Sequence, residues 1–241
     1  MMRLLWTRLV FLAALLLTPW VVAGDDHGRI DMALQAINPE LSADAVRETP
    51  IEGLYEVVVG DRVVYMSADG RYLIQGEFID LKTERSISEG HFREVRRREI
   101  EAVPVREMVV FPAEGERRGW VTVFTDIECP FCQRLHLHVP EINEQGVEVR
   151  YIMMPRSIPS SSYRKSVAVY CADDRAAAMD EAKAGTLPEA NEECPNPIQQ
   201  HVQLARDLGI RATPTLITHS GRIHEGYLGT EGVLGLLEAD D

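Results

Sequence analysis

Apolar and polar residues alternate in several stretches of the chain, and each such stretch predicts a short strand. From residue 105 onward, this pattern predicts strands at 108–111, 119–124, 147–153, 214–218 and 222–227. Helical spacing predicts helices over about 130–145, with a bend or break near Pro140, and over 160–171, 175–184, 196–208 and 230–238. The order is β-α-β, a helical insertion, then β-β-α. The right-handed crossover rule makes the first half parallel.

Residues 24–82 are predicted to form a small α+β domain. A helix over 26–38 precedes strands at 53–59, 62–66 and 72–79. The segment has few large core side chains, so its own hydrophobic core is expected to be marginal. A small sheet of this kind is often completed by pairing with a second copy, and an ordinary appended domain is the alternative.

Residues 83–104 have a different character, because arginines and glutamates dominate and apolar residues are few. A helix that is polar nearly all round suits a solvated bridge between two domains. A nucleic-acid patch at 96–98 is less favoured, because glutamates interleave with the arginines. Residues 105–241 then form the second, larger domain.

The first 23 residues resemble a targeting segment. Arg3 and Arg8 precede a short apolar run, and Ala23 precedes a polar start, which is typical of a secretory signal peptide cleaved after Ala23. The run is short for a spanning helix, so a retained anchor is less favoured. Without Arg3 and Arg8 the chain has 23 basic and 38 acidic residues, a formal charge of −15. Such a surface repels nucleic acid and anionic membranes.

Cys129 and Cys132 lie where a predicted strand ends and a helix begins. The first turn of a helix presents unpaired N–H groups and the positive end of the helix dipole, which together stabilise a Cys129 thiolate. Pro130 suits the first helical position. Cys132 lies close enough in the chain to attack a mixed disulfide formed at Cys129. The spacing therefore predicts a redox-active pair.

Two other interpretations of this CxxC sequence compete. The pair is half of a zinc site if Cys171 and Cys194 supply the rest, but those cysteines lack the short spacing that structural zinc sites usually repeat. A purely structural disulfide closes so short a loop that it stabilises little. Redox chemistry is favoured, with no metal or organic cofactor. Export to an oxidising compartment allows disulfides to persist, and four cysteines fit one active and one structural pair.

Thr213-Pro214, at the start of the predicted strand 214–218, is a second motif. Proline is tolerated at the first residue of a strand, and cis X–Pro bonds belong to tight turns of this kind. A trans proline at strand entry is the alternative. The combination of strand, CxxC and helix with a later Thr-Pro, hairpin and final helix is the thioredoxin-fold pattern.

The chain resembles the DsbC family of periplasmic thiol:disulfide interchange proteins, with DsbG as a close relative. The resemblance is carried by residues 121–129, Leu135-His136, 149–151 with Pro155-Arg156, and 212–214. It implies an α+β protein in which a linker helix joins a small cystatin-like dimerisation domain (24–82) to a thioredoxin-fold catalytic domain with inserted helices. Two such chains would form a V whose cleft binds unfolded exported proteins.

The resemblance also implies residue roles. Cys129 would be the nucleophile and Cys132 the resolving cysteine, while Thr213 and a cis Pro214 would lie over the pair and bind substrate backbone. Cys171 and Cys194 would form a structural disulfide. The implied partners are misoxidised exported proteins, a second copy of the chain and a DsbD-type membrane reductase. The implied activity is isomerisation or reduction of wrong disulfides in the periplasm, with chaperone activity.

Several residues depart from the DsbC pattern or have open roles. Pro130-Phe131 between the cysteines is closer to DsbG than to the usual Gly-Tyr of DsbC. The Glu128 carboxylate should oppose thiolate formation at Cys129. Asp126 either assists proton transfer or satisfies the strand end.

Two rival functions stay open. One is a DsbG-like reductase of sulfenylated single cysteines, and the other is a dimeric holdase chaperone whose cysteines are incidental. His136 and His138, on the helix after the pair, are expected to be exposed.

Overall fold

A computed structural model describes residues 26–60, 62–186 and 194–239. The predicted signal peptide, residues 1–23, lies outside these ranges. The chain divides into two compact units, the first ending at Gly76 and the second beginning at Glu77. No helix in the described ranges has the length and apolar character needed to cross a membrane.

The first unit contains one helix and one antiparallel sheet. Helix α1 (Asp26–Ile37) is followed by β1 (Ala45–Glu48), β2 (Leu54–Val59), β3 (Arg62–Ser67) and β4 (Leu73–Ile74), hydrogen-bonded in that order. Val57 of β2 and Val64 of β3 are directly paired across the two strands, so their side chains lie on the same face of the sheet. They form one small core with three further residues: Ile30, Leu34 and Met66.

Two features of this region differ from the sequence prediction. Strand β1 was not predicted, because it has only four residues. Two neighbouring side chains are partly buried and the other two are exposed, so apolar and polar positions do not alternate along it. The single strand predicted over 72–79 is also wrong. Only Leu73 and Ile74 pair with β3, and Gly76, with φ of +154°, interrupts the extended chain. The next strand, β5 (Ile79–Asp80), belongs to the second unit and pairs with β6 (Arg85–Ser86).

Helix α2 (Glu89–Ala102) is not solvated on all sides, which corrects the sequence expectation. Val95, Arg96 and Ile100 are buried. Arg96 Nε donates to the Gly221 carbonyl at 2.7 Å, and its guanidinium also pairs with Glu89. This buried face could not be predicted from the sequence pattern. Val95 and Ile100 are five positions apart and form no helical stripe, and the third buried residue is an arginine.

The second unit is built on a five-stranded sheet. It contains β7 (Val109–Phe111), β8 (Gly119–Thr125), β9 (Val147–Met153), β10 (Thr215–Thr218) and β11 (Ile223–Glu225), in the order β11-β10-β8-β9-β7. The β8–β9 pair is parallel, as the crossover rule predicted, and the other pairs are antiparallel. Strand β8 is central, and the sequence that follows it begins the CxxC segment.

Helices follow the predicted order around this sheet. They are α3 (Pro130–His136), α4 (Val139–Glu144), α5 (Ser161–Cys171), α6 (Arg175–Lys183), α7 (Ile198–Asp207) and α8 (Thr230–Glu238). The helix predicted over 130–145 is interrupted before Pro140, as expected. The main core joins α3, α4, α5, α6 and α8 to the sheet, with Val121, Val149 and Tyr151 among its fully buried residues.

We predict that Arg96 contributes to the stability of the second unit. Arg96→Ala removes a buried hydrogen bond to Gly221 and leaves that carbonyl without the guanidinium, so the free energy of unfolding should fall by about 2–3 kcal/mol. Arg98→Ala is the matched control, because Arg98 is exposed and its pairing with Glu99 should contribute at most about 1 kcal/mol. Urea unfolding of both variants measures the difference. Equal losses would contradict the anchoring role of Arg96.

Candidate active site

Cys129 and Cys132 lie at the start of α3, beyond the end of the central strand β8. Cys129 precedes the first helical residue and has an extended backbone, while Pro130 occupies the first position of the helix. Both thiols are free. Cys129 is 7% exposed and Cys132 is 1% exposed, so the pair is buried unequally. The sequence predicted both cysteines between the end of a strand and the start of a helix, and the structure has them between β8 and the first turn of α3.

The surroundings shift the pKa values of the two thiols in opposite directions. Burial alone would raise the pKa of Cys129, but hydrogen bonds from the Cys132 backbone N–H, the Thr213 side chain and the Cys132 side chain outweigh it and lower that pKa. Burial raises the pKa of Cys132, despite the nearby Lys183. A thiolate is therefore favoured at Cys129 and a thiol at Cys132.

The Thr213-Pro214 loop lies directly beside Cys129. The peptide bond between these two residues is cis. Strand β10 begins at Thr215, which lies opposite Phe124 near the end of β8, so the antiparallel pairing brings the loop to the redox pair. The Cys129 thiol donates to the Thr213 carbonyl at 3.3 Å. The CxxC and Thr-Pro motifs, which lie 84 residues apart in the sequence, are therefore in direct contact in the structure.

Comparison with known proteins agrees with this geometry. A family model for the disulfide bond isomerase protein N-terminal domain matches residues 21–89, and one for a thioredoxin-like domain matches residues 105–239. Thiol:disulfide interchange protein DsbC from Haemophilus influenzae is 32% identical over 215 residues, covering 88% of this chain and 90% of that protein. The chain belongs to the DsbC family.

Further relatives support this membership. DsbC from Dickeya dadantii is 30% identical over 234 residues, covering 96% of this chain and 95% of that protein. The crystal structure of a disulfide interchange protein from Neisseria gonorrhoeae is similar with a TM-score of 0.51 and 28% identity, covering 57% of this chain and 97% of that one. The chain is therefore a thiol:disulfide interchange protein with oxidoreductase activity. The predicted α+β fold with a thioredoxin-like domain is confirmed.

Asp126 organises the loop between β8 and the cysteines of this DsbC-family protein. Its carboxylate is 1% exposed and accepts three hydrogen bonds, from the Glu128 N–H at 2.7 Å, the Ser162 hydroxyl at 2.6 Å and the Arg156 N–H at 3.0 Å. These contacts fit the simpler of the two roles expected from the sequence, which is to satisfy polar groups at the strand end.

Glu128 turns toward α5. Its carboxylate accepts from the Ser161 hydroxyl at 2.8 Å and pairs with Lys165 at 2.9 Å. The hydrogen bond from Lys165, followed by that from Ser161, lowers the pKa of Glu128. The negative charge expected to oppose the Cys129 thiolate is present, but an ammonium group lies directly against it. Lys165 and Ser161 were not predicted, since neither lies near Cys129 in sequence.

The two histidines after the pair are not free on the surface, so the expectation that they are exposed is wrong for His136. His136 is 7% exposed and its ring nitrogens contact the Tyr151 hydroxyl and Asp180, each at 2.8 Å. His138 contacts the Tyr227 hydroxyl at 2.8 Å and is only partly exposed. Both rings serve packing and hydrogen bonding within the domain.

The remaining cysteines are bonded to each other. The structure contains a disulfide between Cys171, the last residue of α5, and Cys194, with Cα atoms 5.8 Å apart. Among the residues in the described ranges, no three His, Cys, Asp or Glu side chains are grouped closely enough to hold a metal ion.

Phe131 is 59% exposed beside the redox pair, although it is a large apolar residue.

We predict that Asp126 contributes strongly to stability. Asp126→Ala leaves three buried or partly buried donors without their acceptor, so the free energy of unfolding should fall by about 3 kcal/mol or more. Asp173→Ala is the matched control, because Asp173 is exposed and its loss should change stability by about 0.5 kcal/mol or less. Chemical unfolding of the two variants provides the comparison. A loss at Asp126 no larger than at Asp173 would show that the loop does not depend on this carboxylate.

Proposed function

We propose that this protein isomerises or reduces incorrect disulfides in exported proteins, with Cys129 as the nucleophile and Cys132 as the resolving cysteine. The observation that supports this most directly is the difference between the two thiols. Hydrogen bonds lower the pKa of Cys129, whereas burial raises that of Cys132. Because the thiolate is the attacking species, the cycle begins at Cys129, and Cys132 stays protonated until it resolves the mixed disulfide.

The proposed cycle has two branches. The Cys129 thiolate attacks a wrong substrate disulfide, forms a mixed disulfide and releases one substrate thiolate. In the isomerase branch, that thiolate attacks another disulfide of the substrate and forms a new disulfide. The substrate thiolate released by this attack then displaces Cys129, which leaves as a thiolate again. In the reductase branch, Cys132 attacks Cys129, so the substrate leaves reduced and the protein leaves oxidised. No step requires a metal or an organic cofactor.

The loop at Thr213-Pro214 is proposed to hold the substrate chain. This proposal is supported by the contact between the Thr213 carbonyl and the Cys129 sulfur, because a main-chain group of the loop lies beside the attacking atom. Exposed Phe131 offers apolar surface to an unfolded segment, and Pro130 fixes the first turn on which Cys129 depends. Glu128, paired with Lys165, is proposed to modulate Cys129.

The wider organisation is proposed from the family relationship. Residues 24–82 would dimerise, residues 83–104 would link them to the catalytic domain at 105–241, and residues 1–23 would direct export to the periplasm and be removed. The match of the isomerase N-terminal domain to residues 21–89 supports the first of these proposals. A DsbD-type membrane reductase would return Cys129 and Cys132 to the dithiol state. A V-shaped dimer with its inner cleft would also provide the proposed chaperone activity.

A DsbG-like reductase of sulfenylated single cysteines is the second candidate. The observation that favours it is Pro130-Phe131 between the cysteines, in place of Gly-Tyr. In that reaction the Cys129 thiolate attacks the sulfenic sulfur and displaces hydroxide, which takes a proton from solvent to become water. Cys132 then resolves the resulting mixed disulfide.

We predict that recovery of a scrambled multi-disulfide protein in glutathione buffer depends on Cys129. Cys129→Ser should reduce recovery to the uncatalysed level, because the attacking sulfur is absent. Cys132→Ala should retain part of the isomerase activity but accumulate covalent complexes with substrate, visible on non-reducing gels. Activity of Cys129→Ser equal to the natural protein would refute the mechanism.

Two further outcomes of this experiment separate the alternatives. No recovery by the natural protein, with rapid reduction of a sulfenylated single cysteine, would favour the DsbG-like function. Full suppression of aggregation by a double variant lacking both sulfurs, with no exchange activity in the natural protein, would favour a holdase.

A further inference from the structure

Lys183, the last residue of α6, is a buried amine beneath the redox pair. The residue is 6% exposed. Its Nζ donates to the Thr125 hydroxyl at 2.7 Å and to the Asp126 carbonyl at 2.8 Å. Thr125 is the last residue of β8 and is fully buried. A buried amine is costly unless hydrogen-bonded, and here both acceptors belong to the segment that leads to Cys129.

The Thr125 hydroxyl connects this amine to the second cysteine. Besides accepting from Lys183, the Thr125 side chain hydrogen-bonds to Cys132. A hydroxyl has one donor and two lone pairs, so it accepts from one neighbour while donating to the other. The amine, the hydroxyl and the buried thiol therefore form one continuous hydrogen-bonded chain. The hydroxyl hydrogen turns between its two neighbours, so when the amine is neutral the chain passes the proton of Cys132 to it without any heavy atom moving.

Burial shifts the pKa values of the two ends of this chain in opposite directions. Burial lowers the pKa of Lys183 to about 8, against the opposing effect of nearby Cys132, Asp126 and Cys129. Burial raises the pKa of Cys132. Burial thus disfavours both charged forms, and it weakens the ordinary tendency of lysine to keep its proton. With a pKa of about 8, part of the Lys183 population is a neutral amine near neutral pH, and that form is a competent base for the thiol through the hydroxyl.

Lys183 also lines a cleft. A cleft of about 450 Å³ is lined by Lys183, His136 and Asp180, together with residues of α3 and α4. The Tyr151 ring lies 6.0 Å from Nζ, and the Tyr151 hydroxyl contacts His136, which contacts Asp180. An open cleft therefore lies next to the residue that carries the buried amine.

We propose that Lys183 and Thr125 form a proton relay that takes the proton of Cys132 when Cys132 resolves the mixed disulfide. Cys132 Sγ bonds to Cys129 Sγ, and the bond between Cys129 and the substrate sulfur breaks. The thiol proton passes to Thr125 Oγ1, whose own proton passes to Lys183 Nζ. The substrate sulfur leaves as a thiolate, reduced by the electron pair that the two cysteines lose. Lys183 acts through Thr125 and is a positioning residue.

This inference rests on the proposed role of Cys132, and the experiment separates the two steps. The substrate is a pair of short peptides joined by a disulfide, each carrying its own fluorophore, mixed with the reduced full-length mature protein in a stopped-flow instrument. Release of the first peptide reports attack by Cys129. Release of the second reports resolution by Cys132. The variants are Lys183→Met and Thr125→Val, with Lys82→Met as a control that removes an exposed lysine.

We predict that Lys183→Met and Thr125→Val each slow release of the second peptide about 10²-fold, the scale of a lost acid–base group, and leave release of the first close to the natural rate. Both groups belong to one relay, so the double variant should be no slower than either single variant. Thr125→Ser, which keeps a hydroxyl, should restore most of the rate. Lys82→Met should behave as the natural protein.

The outcomes that oppose the relay are distinct from those that oppose the proposed function. Natural rates of second release in both Lys183→Met and Thr125→Val would overturn the relay and leave the function intact. Equal slowing of both releases would also overturn it, because that pattern reports a disturbed fold. Absence of any rapid first release in the natural protein would instead contradict the proposed function itself.

Discussion

The hydrogen bonds at the first turn of α3 are the interaction on which the rest of the site depends. They make Cys129 the better thiolate even though burial opposes its charge, while Cys132, three residues further along, is buried without enough compensation. The extended backbone at Cys129 and the fixed φ of Pro130 place the donors. Two cysteines at the start of one helix thereby acquire different chemistry.

The surrounding fold holds this first turn in place from three sides. Pairing of β10 with β8 brings the cis Thr213-Pro214 loop against Cys129. The Asp126 carboxylate fastens the connecting loop through the Glu128 and Arg156 backbone and the Ser162 hydroxyl. From the helical insertion, α6 adds Lys183 beneath Thr125. The insertion therefore contributes to the chemistry of the site as well as to its packing.

Local patterns in the sequence were sufficient for the parts of the structure that depend on local rules. The strand before Cys129, Pro130 at the helix start and the order of elements from residue 105 onward followed from alternation and helix-terminus chemistry. Residues whose role depends on distant packing were missed. Lys183 lies in a charged, alanine-rich helix that suggests a surface. It is buried because α6 packs against α5, β7 and α3, and its amine bonds to Thr125 at the end of β8. Arg96 was hidden for the same reason.

The most direct test of this account is the titration of the two thiols in the reduced full-length protein, followed by the ¹³Cβ chemical shifts of its cysteines. We expect two separate transitions. That of Cys129 should lie below the ordinary cysteine pKa of about 8.5, and that of Cys132 should lie above it. The Cys171–Cys194 disulfide does not titrate and serves as an internal reference. Coincident transitions, or a lower pKa at Cys132 than at Cys129, would contradict the central claim.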